Sequence, residues 1–108
     1  MAELDLKARI LDYLEDDLLD YPYALQIVRE ELGPKELAPA RVLLTVLLDL
    51  LKKEAIIVGS YKGPNEIEPW SDSVEETIER LKSEIGSDPE AKVKMFWIGL
   101  PKHRFKGH

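Results

Sequence analysis

The chain has 108 residues, a third of them charged, a formal net charge of −6 and no cysteine. That length holds one domain with a single modest core, and the hydrophobic share of 44% sets the chain apart from disordered sequences. Disulfides, thiolate metal sites and cysteine catalysis are excluded.

The acidic start, Met1-Ala2-Glu3-Leu4-Asp5, has neither the basic region nor the apolar run of a signal peptide. The longest apolar run, Val42 to Leu51, is interrupted by Thr45 and Asp49 and is about half of the ~20 residues that cross a bilayer. A cytoplasmic protein with no membrane segment is expected.

Charge is distributed in blocks. Residues 1–36 hold ten acids and four bases, a net of −6, and residues 37–65 hold two acids and four bases, a net of +2. Residues 66–90 hold nine acids and two bases, a net of −7, and residues 91–108 hold five bases and no acid. The acidic blocks argue against general affinity for nucleic acid, which depends on neutralising phosphates. They suit a basic protein partner, drawn in by electrostatic steering. The plainer alternative is that they serve solubility alone.

Helical periodicity runs from Leu4 to Leu19, with Leu4, Ile10, Leu11, Leu14 and Leu18 on one face and Arg9, Asp12 and Asp16 on the other. Lys7 falls in the apolar stripe, its stem on the core and its amine expected in water. The cluster Glu15, Asp16, Asp17 and Asp20 sits at the carboxyl end, where the helix dipole disfavours negative charge. Its spacing is not that of a calcium loop, so it reads as a solvated end or a partner contact.

Pro22 breaks this helix and can open the next, whose stripe is Ala24, Ile27, Val28 and Leu32 and whose stop is Gly33-Pro34. Tyr21 and Tyr23 flank the break and are expected to pack at the corner.

A third helix follows from Pro39, Leu- and Val-rich but for a narrow stripe of Arg41, Thr45, Asp49 and Lys52. Such a helix must be packed over most of its circumference. Ala55 to Tyr61 is β-branched and reads as a strand, Lys62-Gly63-Pro64-Asn65 as a turn, and Glu66-Ile67-Glu68 as a short strand stopped by Pro69.

Ser73-Val74-Glu75-Glu76 spells a capping box opening a fourth helix, with Val74, Ile78, Leu81 and Ile85 apolar and Gly86 as its stop. After an Asp88-Pro89 loop, Val93 to Leu100 is a strand, with Val93, Met95 and Trp97 on one face and Phe96, Ile98 and Leu100 on the other. With apolar groups on both faces, one side is expected to meet the core and the other the fourth helix or a second chain.

The order of three helices, the Leu-rich third running into Ile56-Ile57-Val58, a turn and a later antiparallel strand resembles the winged helix-turn-helix fold. The resemblance covers roughly residues 4–61 and 93–100 and rests on element order. It implies an α+β, winged-helix-like domain with three N-terminal helices, a small antiparallel sheet and a fourth helix inserted before the last strand. In that family the third helix enters the DNA major groove and the following hairpin contacts the backbone or minor groove. Arg41, Thr45, Lys52 and Lys62 would then be the DNA contacts.

This sequence departs from that pattern. Leu44 and Leu48 border the exposed stripe, Asp49 repels phosphate, and the usual Arg, Asn and Gln base readers are missing. An acidic insertion, residues 66–90, takes the place of the wing. The second half, from Ile67-Glu68-Pro69-Trp70-Ser71 through the amphipathic helix to Met95-Phe96-Trp97-Ile98, also looks similar to small acidic bacterial proteins of immunity type, some of which mask a basic toxin.

Catalytic chemistry is not indicated. The two histidines, His103 and His108, both lie in the last six residues, where mobility is expected, and no Ser-His-Asp set can be built on ordered elements. No metal or cofactor motif stands out. Residues 1–101 are read as one domain and 102–108 as a frayed basic tail, able to touch nucleic acid, a membrane or an acidic patch of a sister chain.

The expected function is a non-enzymatic, acidic protein-interaction module, an immunity- or antitoxin-like inhibitor or a regulatory subunit. Its partner is a basic protein, with a homodimer as the other arrangement the sequence admits. The contacts would come from Glu15, Asp16, Asp17, Asp20, Glu75, Glu76 and Glu79, with Trp70 and Trp97 as anchors if exposed and as core residues otherwise. The alternative is a DNA-binding transcriptional regulator.

Overall fold

Leu6, Ile10 and Leu14 recur at four-residue spacing and are all fully buried, so the first helix, α1 (Ala2–Asp16), docks along one narrow stripe. These positions belong to a computed structural model that describes residues 2–35, 37–86 and 96–106. The expected helix to Leu19 stops three residues early. The Asp17 carboxylate accepts the Leu18 N–H at 2.8 Å, and Leu19–Asp20 leave the helix as a strand, β1.

Asp20 is also the N-cap of α2 (Tyr21–Leu32), its carboxylate accepting the Tyr23 N–H at 2.8 Å with Pro22 in the first turn. Gly33 ends α2 at a φ of 81°, where its N–H reaches the Arg29 carbonyl.

Helix α3 (Pro39–Lys52) begins at Pro39 as expected, ends two residues short of the expected Glu54, and buries Ala40, Leu43, Val46, Leu47, Leu50 and Leu51. Burying a side chain of this size contributes roughly 1.5–3 kcal/mol, so this helix supplies much of the apolar stabilisation. Its exit is sharper than a direct run into a strand. Glu54 adopts a φ of 56° and the Ala55 N–H bonds the Leu50 carbonyl at 2.9 Å. The strand β2 therefore begins at Ile57 rather than Ala55, and ends at Gly63.

A two-residue turn at Pro64-Asn65, with Asn65 at a φ of 60°, leads into β3 (Glu66–Pro69). Residues 66–69 are thus half of a hairpin with β2, not part of a wing-replacing insertion.

Helix α4 (Val74–Gly86) turns Thr77, Ile78, Leu81 and Ile85 inward. Half of the expected capping box forms: the Glu76 N–H donates to the Ser73 hydroxyl at 3.2 Å, but the Glu76 carboxylate accepts from Ser71 Oγ at 2.8 Å instead of reaching back. The last strand, β4, is described over Trp97–Gly99; Val93 and Met95, expected at its start, lie outside the described residues.

Among the described residues the fold is α+β, with four helices and a four-stranded antiparallel sheet ordered β1-β4-β2-β3. Val58, Ile98 and Leu19 lie side by side across β2, β4 and β1, all buried against the helices. Phe96 joins them, its ring 5.0 Å from Tyr21 and 5.3 Å from Trp70. No helix among the described residues is long and apolar enough to cross a membrane.

Around Gly99 the outer face of the sheet is covered by the chain's own C-terminal segment rather than by α4. A Cβ added at Gly99 would meet Ile67, Leu18 and His103 at 2.9–3.3 Å, so glycine is what lets those three close over the strand. After β4 a single 3₁₀ turn, Pro101–His103, folds back, and Arg104 bridges Ile67 in parallel, with the Phe105 N–H donating to the Ile67 carbonyl at 2.7 Å. Of the expected basic tail, residues 102–105 are placed in this turn and bridge; Gly107 and His108 lie outside the described residues.

Candidate interaction surface

The acids at the end of α1 are mostly committed to the fold. Asp17 and Asp20 cap backbone N–H groups, and Glu15 pairs with Lys102 at 3.4 Å; Asp16 stands exposed. The conflict with the α1 dipole that the sequence implies is relieved for Asp20, which sits at the start of α2 where the dipole favours a carboxylate, while Glu15 and Asp16 stay in the last turn of α1. The local field is negative all the same. Burial, then Asp17, Tyr23 and Asp20, pushes the Tyr13 hydroxyl above its ordinary pKa.

On α4, Glu75, Glu76 and Glu79 lie on the exposed side opposite Leu81 and Ile85. Glu75 and Glu76 occupy the first turn, where the dipole stabilises them, and Ser73 Oγ donates to Glu75 at 3.2 Å. The bases of this helix are occupied: Lys82 lies 3.5 Å from Glu79, and the Arg80 guanidinium stacks 4.3 Å from the Trp70 ring.

Trp70 is therefore held between Arg80 and Phe96, half-buried rather than a free anchor. Trp97 is also half-buried, on the outer sheet face, its ring 4.9 Å from that of Tyr61, which is 49% exposed.

The alternative DNA contacts do not gather into one set of free cations. Arg41, Thr45 and Lys52 are exposed on α3, with the Thr45 hydroxyl donating back to the Arg41 carbonyl at 3.1 Å. Leu44 and Leu48 beside them are half-buried. Lys62, on the hairpin, faces Glu68 at 3.7 Å and lies 5.8 Å from the Phe105 ring. Asp49 is clamped between Lys7 at 2.6 Å and Lys53 at 3.0 Å, and these ammonium groups, Lys7 first, hold its carboxyl below the ordinary carboxylate range. Lys7 thus ties α1 to α3 instead of reaching into water.

Two bases of the C-terminal segment also meet the acidic blocks, as Arg9 does at Glu30 and Glu31. Lys102 reaches Glu15 at the end of α1, and Arg104 pairs with Asp72 just before α4. His103 is only 7% exposed and its Nδ1 accepts the Leu100 N–H at 3.1 Å, so its ring is part of the turn. A cavity of about 200 Å³ lies beside this segment, lined by Ile56, Val58, Asp72, Thr77 and Arg104 among others.

The sequence holds a signal for this arrangement, five bases without an acid following a block of −7, but nothing in it says that the two meet. Comparison with protein-family models, with curated proteins and with solved structures gives no match.

Proposed function

We propose that this chain is a non-enzymatic, acidic protein-interaction module on a winged-helix-like scaffold, acting as an inhibitor or regulatory subunit that captures a basic partner. The observation that carries the reading is the charge on α4. Glu75, Glu76 and Glu79 share its exposed side, while Arg80 is spent on Trp70 and Lys82 on Glu79. Asp16, Asp17 and Glu15 extend the negative field at the end of α1, and such a field steers oppositely charged partners. The non-enzymatic part of the reading is supported by His103, whose Nδ1 is taken by backbone and whose ring is buried.

A second reading, a DNA-binding regulator, is favoured by one observation. The β2–β3 hairpin follows α3 directly, and α3 exposes Arg41, Thr45 and Lys52. Against it stand Glu66 and Glu68 on that hairpin, with Lys62 as their neighbour.

Fluorescence anisotropy with a labelled oligo-arginine peptide and a labelled DNA duplex, each titrated across salt, separates the two. We expect peptide binding that weakens with salt and falls about tenfold in Glu75→Lys/Glu76→Lys/Glu79→Lys, with no comparable binding of the duplex. Duplex binding that is lost in Arg41→Ala/Lys62→Ala, without peptide binding, would overturn the proposal.

A further inference from the structure

We infer that the outer edge of β3 is a docking site for a basic, extended segment of the partner, and that Arg104-Phe105-Lys106 is the stand-in occupying it within the chain. This rests on the acidic-module reading and names the chemistry of its partner.

Four observations carry it. First, the edge is acidic along its length: Glu66 and Glu68 are the exposed side chains of β3, and Asp72 follows three residues after Pro69. An unpaired strand edge offers backbone groups to any extended chain, and side-chain charge decides which chain is accepted. Second, the segment found there is of the complementary kind, extended at Arg104, paired in parallel through Ile67, with Arg104 on Asp72 and Phe105 near Lys62.

Third, its hold is slight. The Ile67–Arg104 bridge with its backbone bond from Phe105 to Ile67, one ion pair between exposed side chains, 46% and 90% accessible, and the Phe105 ring 5.8 Å from the Lys62 ammonium retain it. Exposed pairs of this kind contribute little. Fourth, releasing it spares the core. Ile67 is buried but stands outside the main hydrophobic cluster, and the preceding Pro101–His103 turn keeps its own anchor in the buried His103. A partner segment bearing a base beside an aromatic residue would make the same contacts while the turn stays in place.

The full-length chain serves for the test, with a labelled, end-blocked peptide of the sequence Pro-Lys-His-Arg-Phe-Lys as probe. In Arg104→Glu/Lys106→Glu the internal segment is repelled from its site, so the peptide is expected to bind about tenfold tighter than to the unaltered chain, and to weaken with salt. Phe105→Ala, which keeps the charges, should move affinity the same way and stands in if the charge reversal does not fold.

Equal binding to both folded variants and the unaltered chain overturns the inference. So does equal binding of a peptide with its bases changed to Glu, or a gain that sedimentation traces to exchange of segments between two copies. Oligo-arginine separates the two levels. If it binds while the segment peptide fails, the docking site falls and the acidic module stands; if neither binds, both fall.

Discussion

His103 is a histidine whose surroundings work against its charge. Burial first, then Lys102, lowers its pKa below the ordinary 6.5, with Glu15 and Asp17 opposing. The unfolded chain therefore binds the proton more readily than the folded one. The folded state has its full stability above about pH 6.5 and loses it as pH falls below that value. We expect urea-unfolding midpoints to drop between about pH 7 and about pH 5. His103→Asn should flatten that slope, because Asn Oδ1 can take the Leu100 N–H in place of Nδ1 and does not titrate. An unchanged slope in the variant would assign it elsewhere.

Gly59 gives a second test at the same scale. A Cβ there would sit 1.9 Å from the Glu68 carbonyl oxygen, a backbone atom that cannot swing aside. Gly59→Ala is expected to cost about 3 kcal/mol in chemical denaturation and to strip exchange protection from the β2–β3 amides.

Among the elements, α2 owes its start to a residue that also ends β1. Asp20 pairs with Trp97 in the sheet and caps the Tyr23 N–H. Asp20→Ala should cost about 1 kcal/mol in a thermal or urea melt, and Asp20→Asn much less, since the amide oxygen still accepts. Equal losses in the two variants would argue that the charge, not the cap, matters.

The elements also show how far the sequence could be read. Helix α3 was legible because Pro39 opens it and its leucines leave one polar stripe; α4 was legible from the 4-3-4 spacing of Val74, Ile78, Leu81 and Ile85. Strand β1 was not. Two residues have no period, and Leu19 and Asp20 are a strand only because Ile98 and Trp97 arrive beside them. In the same way Lys102 to Lys106 have the composition of a solvated tail, and only Gly99, Ile67 and Asp72, brought near by the sheet, turn them into a packed one.

For the whole molecule, the charge blocks take on a meaning that composition alone did not carry. The basic end of the chain lies between the end of α1 and the start of α4, so part of the acidic surface is answered internally by Lys102 and Arg104. The α4 acids Glu75, Glu76 and Glu79 remain on the outside, and it is on these that the proposed partner binding is placed. The candidate site was legible in its acids but not in its geometry. Glu15, Asp17 and Asp20 carry the expected charge, yet each is tied to Lys102 or to backbone in a way that spacing along one helix cannot reveal.

The strand order has a consequence for how the chain comes to be folded. Strand β4 lies between β1 and β2, hydrogen-bonded to both, yet it is the last of the four to be synthesised. During translation α1 to α3 and the β2–β3 hairpin emerge first, with two strand edges facing a gap that no residue yet fills. The sheet can close only when Trp97–Gly99 leave the ribosome and slot in, making long-range pairing the late event. Until then the nascent chain carries two open edges and an uncovered Ile67, the surfaces that a chaperone or a neighbouring nascent chain would meet first.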